Sequence, residues 1–133
     1  AGFLPFVDVE EEQTLFAFHP PRRGEVIIFR YPRDITRDFV KRVVGLPGDT
    51  VELKGGQLFV NNVAVEEPYI TRPDTRSVAP TVVPEDSYFV LGDNRRVSND
   101  SRDWGPVPTD NIVGRAWVSF WPLDRWQALK IWP

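Results

Sequence analysis

The chain has 133 residues and a formal net charge of -3, and 41% of its residues are hydrophobic, which suits one globular domain with a real core rather than two domains. It contains no cysteine, which excludes disulfides, a thiolate nucleophile and cysteine-ligated zinc, and its single histidine, His19, would have to serve any Ser-His-Asp triad alone. The acidic balance argues against nonspecific binding of nucleic acid as the main activity.

Short β-strands dominate the pattern. Glu25 to Tyr31 is a β-branched and aromatic run closed by Pro32, and Phe39 to Val44 reads likewise before a Gly-Leu-Pro-Gly-Asp turn. We expect further short strands over 50–53, 57–60, 63–65 and 87–91, the first two joined by a glycine turn. Residues 66–84 hold four prolines and few apolar residues, which predicts an extended loop or an edge excursion.

The C-terminal part predicts a long strand over 111–121 with apolar residues on both faces, and then a short helix within 123–131. The fold class is therefore mainly β. We expect one domain over 1–133, made of an N-terminal segment (1–21), a core (22–121) and a C-terminal tail (122–133). The acidic run at 8–12 is expected to be a solvated face.

Lys41 is the most suggestive single position. In an extended strand it points the same way as Phe39 and Val43, whereas Arg42 shares the opposite face with Val40. A lysine among apolar neighbours loses hydration of its charged form, so its pKa falls and the neutral amine can accept a proton from a hydroxyl nucleophile. From the strand pattern alone, two ordinary side chains snorkelling from an edge strand remain the alternative.

A second constellation is the polar stretch from Gly92 to Gly105, which packs carboxylates, amides, hydroxyls and guanidinium groups together with almost no aliphatic content. Its composition fits a surface loop made of turn residues. An Asp-x-Arg pair beside serines also fits a charge-assisted network that orients a catalytic group. Composition does not separate these two interpretations.

Three strings together resemble the signature boxes of bacterial type I signal peptidases, in the same order: RGEVIIFRYP (23–32), DFVKRVVGLPGDTVE (38–52) and GDNRRVSNDSRDWGPVP (92–108). The resemblance extends from about His19 to about Trp121. It implies a signal-peptidase-like β-barrel or antiparallel sheets with short helical segments. It also implies a membrane-anchored serine endopeptidase with a Ser/Lys dyad that removes signal peptides from exported proteins.

The resemblance also implies roles for individual residues. Lys41 would be the general base, Ser98 would hydrogen-bond and orient its amine, and a salt-bridged support near the dyad would consist of Arg42, Asp100 and Arg102. Asp93 would be structural. Phe39 and Val40 would belong to the strand that pairs with the extended substrate, and Ile28 would line a shallow pocket for a small side chain such as alanine. The implied mechanism requires neither a metal nor an organic cofactor.

One part of the family pattern is absent: no serine of the chain stands in the Ser-Met-x-Pro-Thr motif that carries the family's nucleophile. The chain also has no methionine, so we expect a fragment that lacks the nucleophile and the membrane anchor and is inactive alone. Arg96 and Val97 stand where the family commonly has Asp-Asn.

The resemblance implies signal peptides of exported preproteins and the membrane lipid surface as partners, and no nucleic acid. It places the catalytic domain on the outer face of the bacterial cytoplasmic membrane, where Trp121, Trp126 and Trp132 suit either an interfacial or a packing role. Two alternatives stay open: a non-catalytic peptide-binding or assembly module on the same fold, and a related Ser/Lys protease such as a self-cleaving repressor or a processing peptidase for conjugation proteins.

Overall fold

The computed structural model of the protein describes residues 7–11, 20–97 and 99–118. Within these ranges the chain forms ten strands, which are β1 Val7–Glu11, β2 Val26–Tyr31, β3 Asp34–Gly45, β4 Thr50–Lys54, β5 Gln57–Val60, β6 Val63–Ala64, β7 Val78–Val82, β8 Ser87–Leu91, β9 Val107–Pro108 and β10 Ile112–Val118. A one-turn helix, α1 Ser101–Trp104, and a 3₁₀ turn at Thr109–Asn111 are the helical elements of the same ranges. None of the helices described there is long and apolar enough to cross a membrane.

The strands pair antiparallel in two sheets. One described sheet has six strands in the order β1-β10-β2-β3-β8-β9, and the other has four in the order β6-β5-β4-β7. The predicted fold class, mainly β with antiparallel sheets, is thus confirmed. Strand β3 is the longest of the described strands, with twelve residues. It pairs with β2 between Asp34 and Arg42, whereas its pairing with β8 begins only at Arg42.

Two apolar clusters lie on the two faces of β3. Alternate side chains of a strand point to opposite faces, so Val43 joins one cluster and Val44 the other. The first cluster lies within the six-stranded sheet and contains Ile27, Phe29, Val43, Tyr88, Val90, Val107 and Ile112. The second joins the two sheets and contains Val44, Val51, Leu53, Leu58, Val60, Val83, Phe89 and Leu91. The middle of β3 is therefore held from both sides.

Gly45 ends β3 at the point where its pairing with β8 shifts register. A Cβ placed there would lie 2.6 Å from Val51 Cγ2 and 3.1 Å from Phe89 Cβ. Those atoms belong to buried side chains of the cluster that joins the sheets, so they have little room to move. The glycine lets the two sheets approach each other directly after the strand that carries Lys41.

The structure departs from the predicted elements in several places. The acidic run lies mainly in a strand, β1, which pairs with β10 about a hundred residues later in the chain. The proline-rich connection, predicted as an extended loop or an edge excursion, contains a strand, β7, at the edge of the four-stranded sheet. Strand β9 and helix α1 were not predicted, because two and four residues are too few to show a repeating pattern. The last predicted strand begins at Ile112. Its predicted end over 119–121 and the predicted helix within 123–131 lie outside the described residues.

Candidate active site

Lys41 lies in the middle of β3 and is 4% exposed. It points to the same face as Phe39 and Val43, as the alternation predicts, and its Nζ lies 5.9 Å from the centroid of the Phe39 ring. Because the strand is held by apolar packing on both faces, the amine is positioned by the rigid middle of a sheet rather than by a loop.

Burial is the largest influence on Lys41 and lowers its pKa, because it removes water that would stabilise the ammonium form. The negative charge of Asp100 opposes this shift, Arg102 adds to it, and Asp93 opposes it more weakly. Among the described residues, none accepts a hydrogen bond from Nζ. An amine with these properties can lose its proton and then accept one from a hydroxyl group.

Asp100 and Arg102 form a buried ion pair next to this amine. The side chain of Asp100 is fully buried and that of Arg102 is 1% exposed, and their closest contact is 2.9 Å. Asp100 also caps α1 by accepting a hydrogen bond from the backbone N–H of Arg102, and it accepts another from the N–H of Gly92. The carboxylate thereby ties the end of β8 to the helix and fixes two of the charges that act on Lys41.

Ser101, next to Asp100, makes a contact that the sequence did not predict. Its buried Oγ accepts a hydrogen bond of 2.9 Å from the backbone N–H of Val90, in β8. The sequence signal for this hydrogen bond is a serine directly after a capping aspartate. That signal does not indicate which strand the serine contacts. Its effect is to attach α1 to the strand beside β3.

Arg42 differs from the expectation that it would join Asp100 and Arg102 in one network. It lies on the opposite face of β3, as strand alternation requires, and binds Asp93 through two hydrogen bonds of 2.9 and 2.8 Å. It also donates to the carbonyl of Gly24, and its guanidinium lies 4.1 Å from the centroid of the Tyr69 ring. The expected three-residue support is therefore two ion pairs, one on each side of the strand.

One edge of β3 is open beside Lys41. Val43 exchanges backbone hydrogen bonds with Gly24 and Glu25 on the β2 side, so alternate residues back to Phe39 also face β2. The N–H and C=O of Val40 consequently point to the other side, where β8 pairs with β3 only from Arg42 onward. Among the described residues no strand pairs with this edge at Asp38 to Val40. Such an edge can accept an extended peptide.

The three predicted substrate-binding residues lie around this edge but on different faces. Val40 is the direct cross-strand partner of Ile28, and both are partly buried. Phe39 lies on the Lys41 face in an aromatic group with Phe29, Tyr31 and Trp104, and it stacks on Tyr31 at a centroid distance of 4.6 Å. Ser98, the predicted partner of the amine, lies outside the described residues, so its role stays a prediction.

A separate groove of about 440 Å³ lies beside the β5–β6 hairpin and is lined by residues including Gly56, Ala64 and Pro68. None of the residues that line it belongs to β3 or α1. The groove is therefore separate from Lys41. The surface feature next to the lysine is the edge of β3, which suits an extended ligand.

Comparisons with known proteins converge on one family. The family model described as "Signal peptidase, peptidase S26" matches residues 7–121. The chain belongs to this signal peptidase family. Signal peptidase I of Leptolyngbya laminosa is 44% identical, with 93% of this chain and 66% of the relative covered. Probable signal peptidase I-2 of Synechocystis is 42% identical, with 86% of this chain and 55% of the relative covered.

A crystal structure of a signal peptidase I from Enterococcus faecalis also matches, with a TM-score of 0.63 and 34% sequence identity. The match covers 72% of this chain and 96% of that one. The family resemblance carried by the three sequence boxes is therefore confirmed, and the signal peptidase fold with it. The chain spans about half to two thirds of the length of the first curated relatives that it matches.

Proposed function

We propose that this chain carries the catalytic lysine of a serine endopeptidase that cleaves signal peptides from exported preproteins after small residues of the Ala-x-Ala type. The observation that carries the proposal is the buried Lys41 beside an open strand edge. The names of the relatives support it, because they are signal peptidases and, in Arabidopsis thaliana, a thylakoidal processing peptidase 39% identical to this chain.

In the proposed mechanism the signal peptide adds to β3 as an extra strand at the edge beside Val40. Its backbone binds the outward N–H and C=O of Val40, and a small side chain fits the shallow pocket beside Ile28. The neutral amine of Lys41 takes the proton of a serine hydroxyl, whose oxygen attacks the scissile carbonyl. The Lys41 ammonium then gives this proton to the leaving nitrogen, so the C–N bond breaks, the mature chain leaves with a free amino group, and an acyl-enzyme and a neutral Lys41 remain. Lys41 then activates the water that releases the acyl group.

The remaining predicted site residues act through this lysine. Ser98 orients the amine by hydrogen bonding, while Asp100 and Arg102 set the charge around it on one face of β3. Arg42 holds the strand from the other face through Asp93. The reacting serine comes from a Ser-Met-x-Pro-Thr motif outside the 133 residues, and the whole enzyme works at the outer face of the cytoplasmic membrane, next to membrane lipid.

The test is cleavage of an Ala-x-Ala peptide by the chain expressed together with the sequence that precedes Ala1 in its gene. We expect Lys41→Ala and Lys41→Arg to lower the cleavage rate by about 10²- to 10⁴-fold, because a guanidinium stays protonated and cannot replace the amine as a base. Lys54→Ala is the matched control, since Lys54 is an exposed lysine of β4. Normal cleavage by Lys41→Ala would refute the proposal, and the 133 residues alone should show no turnover.

A second candidate is a non-catalytic peptide-binding module, which the lack of a Ser-Met-x-Pro-Thr motif in the 133 residues favours. Such a module would bind the same peptide at the edge of β3 and would not cleave it in the extended protein. Cleavage that depends on Lys41 excludes this candidate, and peptide binding without cleavage supports it.

A further inference from the structure

A segment outside the three family motifs runs along the loop that carries the site. We call residues 66–76 the strap, and residues 92–97 and 99–103 the site loop. The backbone N–H of Thr71 donates to the carbonyl of Asp93, and the N–H of Arg95 donates to the carbonyl of Arg72. The strap thus pairs with the site loop in the manner of a short parallel bridge between Arg72 and Asn94.

Side chains add further connections between the strap and the site loop. Arg102 donates to Asp74 at 3.1 Å, Arg96 donates to the carbonyl of Pro73, and Arg76 donates to the carbonyl of Arg102. Two of these connections end on Arg102, the residue that pairs with Asp100 beside Lys41. The strap therefore contacts the loop at the residues that set the charge around the amine.

The strongest connection is the ion pair of Glu67 with Arg95. Both side chains are nearly buried, at 4% and 2% exposure, and the guanidinium binds both carboxylate oxygens. Arg95 also donates from Nε to the carbonyl of Gly92, and its own carbonyl accepts a hydrogen bond from Arg102. Arg95 is consequently the point at which the strap meets the Asp100–Arg102 pair.

Tyr69 connects the same carboxylate to the other face of β3. Its hydroxyl donates to Glu67 Oε2 at 2.8 Å, and burial, together with this carboxylate, raises the tyrosine pKa, so the hydroxyl stays protonated as a donor. Its ring lies against the guanidinium of Arg42, which binds Asp93. A continuous path thus runs from Asp93 through Arg42, Tyr69, Glu67 and Arg95 to Arg102.

We propose that Glu67 and Tyr69 are positioning residues that hold the site loop and Arg42 against the two faces of β3 and so keep the amine of Lys41 buried. A buried ion pair is costly to desolvate and contributes little stability compared with apolar packing, so its value lies in fixed geometry. The proposal extends the function proposed above, since it concerns the same lysine, but its test does not require cleavage.

The test measures the pKa of Lys41 directly. The chain has three lysines, Lys41, Lys54 and Lys130, so lysine labelled with ¹³C at Cε gives few signals, and Lys41→Arg assigns the one of interest. Asp100, Arg102 and Asp93 are the charges with the largest influence on the pKa of Lys41. Loss of the negative charge of Glu67 would by itself lower the pKa of a lysine, so a rise in Glu67→Gln must come from changed geometry.

We expect Glu67→Gln to raise the pKa of Lys41 by roughly 1 unit, because a loosened site loop admits water to the amine. Tyr69→Phe keeps the ring beside Arg42 and loses only the hydroxyl bond, so it should give a smaller rise and serves as the second variant if Glu67→Gln does not fold. Glu66→Gln is the matched control, because Glu66 is the exposed neighbouring carboxylate and should leave the pKa unchanged.

An unchanged or lowered Lys41 pKa in folded Glu67→Gln, or in Tyr69→Phe where the first does not fold, would overturn the proposal. Lys54 supplies the internal reference in every spectrum. The outcome is independent of the proposed function: if the extended chain fails to cleave an Ala-x-Ala peptide, the function fails, while the titration of Lys41 still decides whether the strap positions the amine.

Discussion

Lys41 carries a titratable amine, although only 4% of the residue is exposed. Apolar packing alone would favour a hydrocarbon side chain there, since Phe39 and Val43 flank the position on the same face. A lysine at such a site lowers stability, and sites of this kind are typical of functional positions, where activity and stability conflict. The cost depends on pH because it falls on the charged form alone.

The first prediction concerns this cost. Lys41→Met should stabilise the chain at pH 6 by about 1 kcal/mol, because methionine fills the site without a group whose charged form, favoured at low pH, is costly to bury. Burial lowers the pKa of Lys41 below its usual 10.5. As pH rises through that lowered value, the native amine loses its proton before the unfolded one does, so the gain from methionine should shrink towards pH 10.

Urea denaturation of both proteins at pH 6 and pH 10 checks this prediction. Lys54→Met is the control, because Lys54 is exposed in β4 and should show no such dependence on pH. A stabilisation of equal size at both pH values would contradict the assignment of the cost to a buried charge, and so would a less stable Lys41→Met at pH 6.

For single residues, the sequence predicted the face of a strand on which a side chain lies better than the partner that the side chain binds. Alternation along 39–44 placed Lys41 and Arg42 on opposite faces, and the structure agrees. It did not reveal that Arg42 binds Asp93, because the two residues are 51 positions apart and the partner is chosen by how the site loop folds back. The contacts of Glu67 and Tyr69 were missed for the same reason, because both residues lie in a stretch interpreted as an extended loop or an edge excursion.

Among the strands, β3 is the element that organises the site. Its second half is held between β2 and β8, whereas the edge at Asp38 to Val40 is open among the described residues. Lys41 therefore lies at the boundary between the part of β3 that is paired on both sides and the part with an open edge. A peptide added there would lie directly beside an amine that the paired part of the strand holds in place.

The second prediction concerns that edge. Val40→Pro removes an N–H that points away from β2, so the ladder between β2 and β3 stays intact and the fold should survive, as prolines do at strand edges. Binding of an Ala-x-Ala peptide should weaken by about fivefold, the effect of one lost hydrogen bond of roughly 1 kcal/mol. Titration of the peptide against the labelled chain measures it.

Two comparisons make the result specific. Phe39→Pro removes an N–H that faces β2 and should lower the melting temperature, unlike Val40→Pro. Unchanged peptide affinity in a folded Val40→Pro would exclude strand addition at this edge and move the binding site elsewhere.

At the level of elements, the sequence predicted strands wherever a local pattern carried them. Strand β8 was predicted with its observed bounds, and β2, β4 and β5 within about a residue, because β-branched runs closed by glycine or proline fix them locally. Strand β1 was missed, since it is acidic and its pairing with β10 is non-local. Helix α1 was missed because a single turn has no period to detect.

Over the molecule as a whole, the two sheets share one apolar cluster. Val44 and Leu91 come from the six-stranded sheet, and Leu58 and Val60 from the four-stranded sheet. Through Val44 this cluster supports the face of β3 opposite Lys41, so the smaller sheet contributes to the rigidity of the site without touching it. The two sheets should therefore unfold together.

Leu58→Ala tests this coupling. Leu58 is 1% exposed in β5, so truncation should lower the free energy of unfolding by about 2 to 5 kcal/mol. If the sheets form one cooperative unit, the exchange protection of the Val90 amide, in β8 of the other sheet, should fall by the same free energy, although its hydrogen bond to Ser101 is untouched. Val63→Ala, at a residue 64% exposed in β6, should change both quantities by less than about 0.5 kcal/mol. Hydrogen exchange of both variants decides the matter, because a Val90 amide that keeps its full protection in Leu58→Ala would mean that the six-stranded sheet, and with it the lysine, is stable without the smaller one.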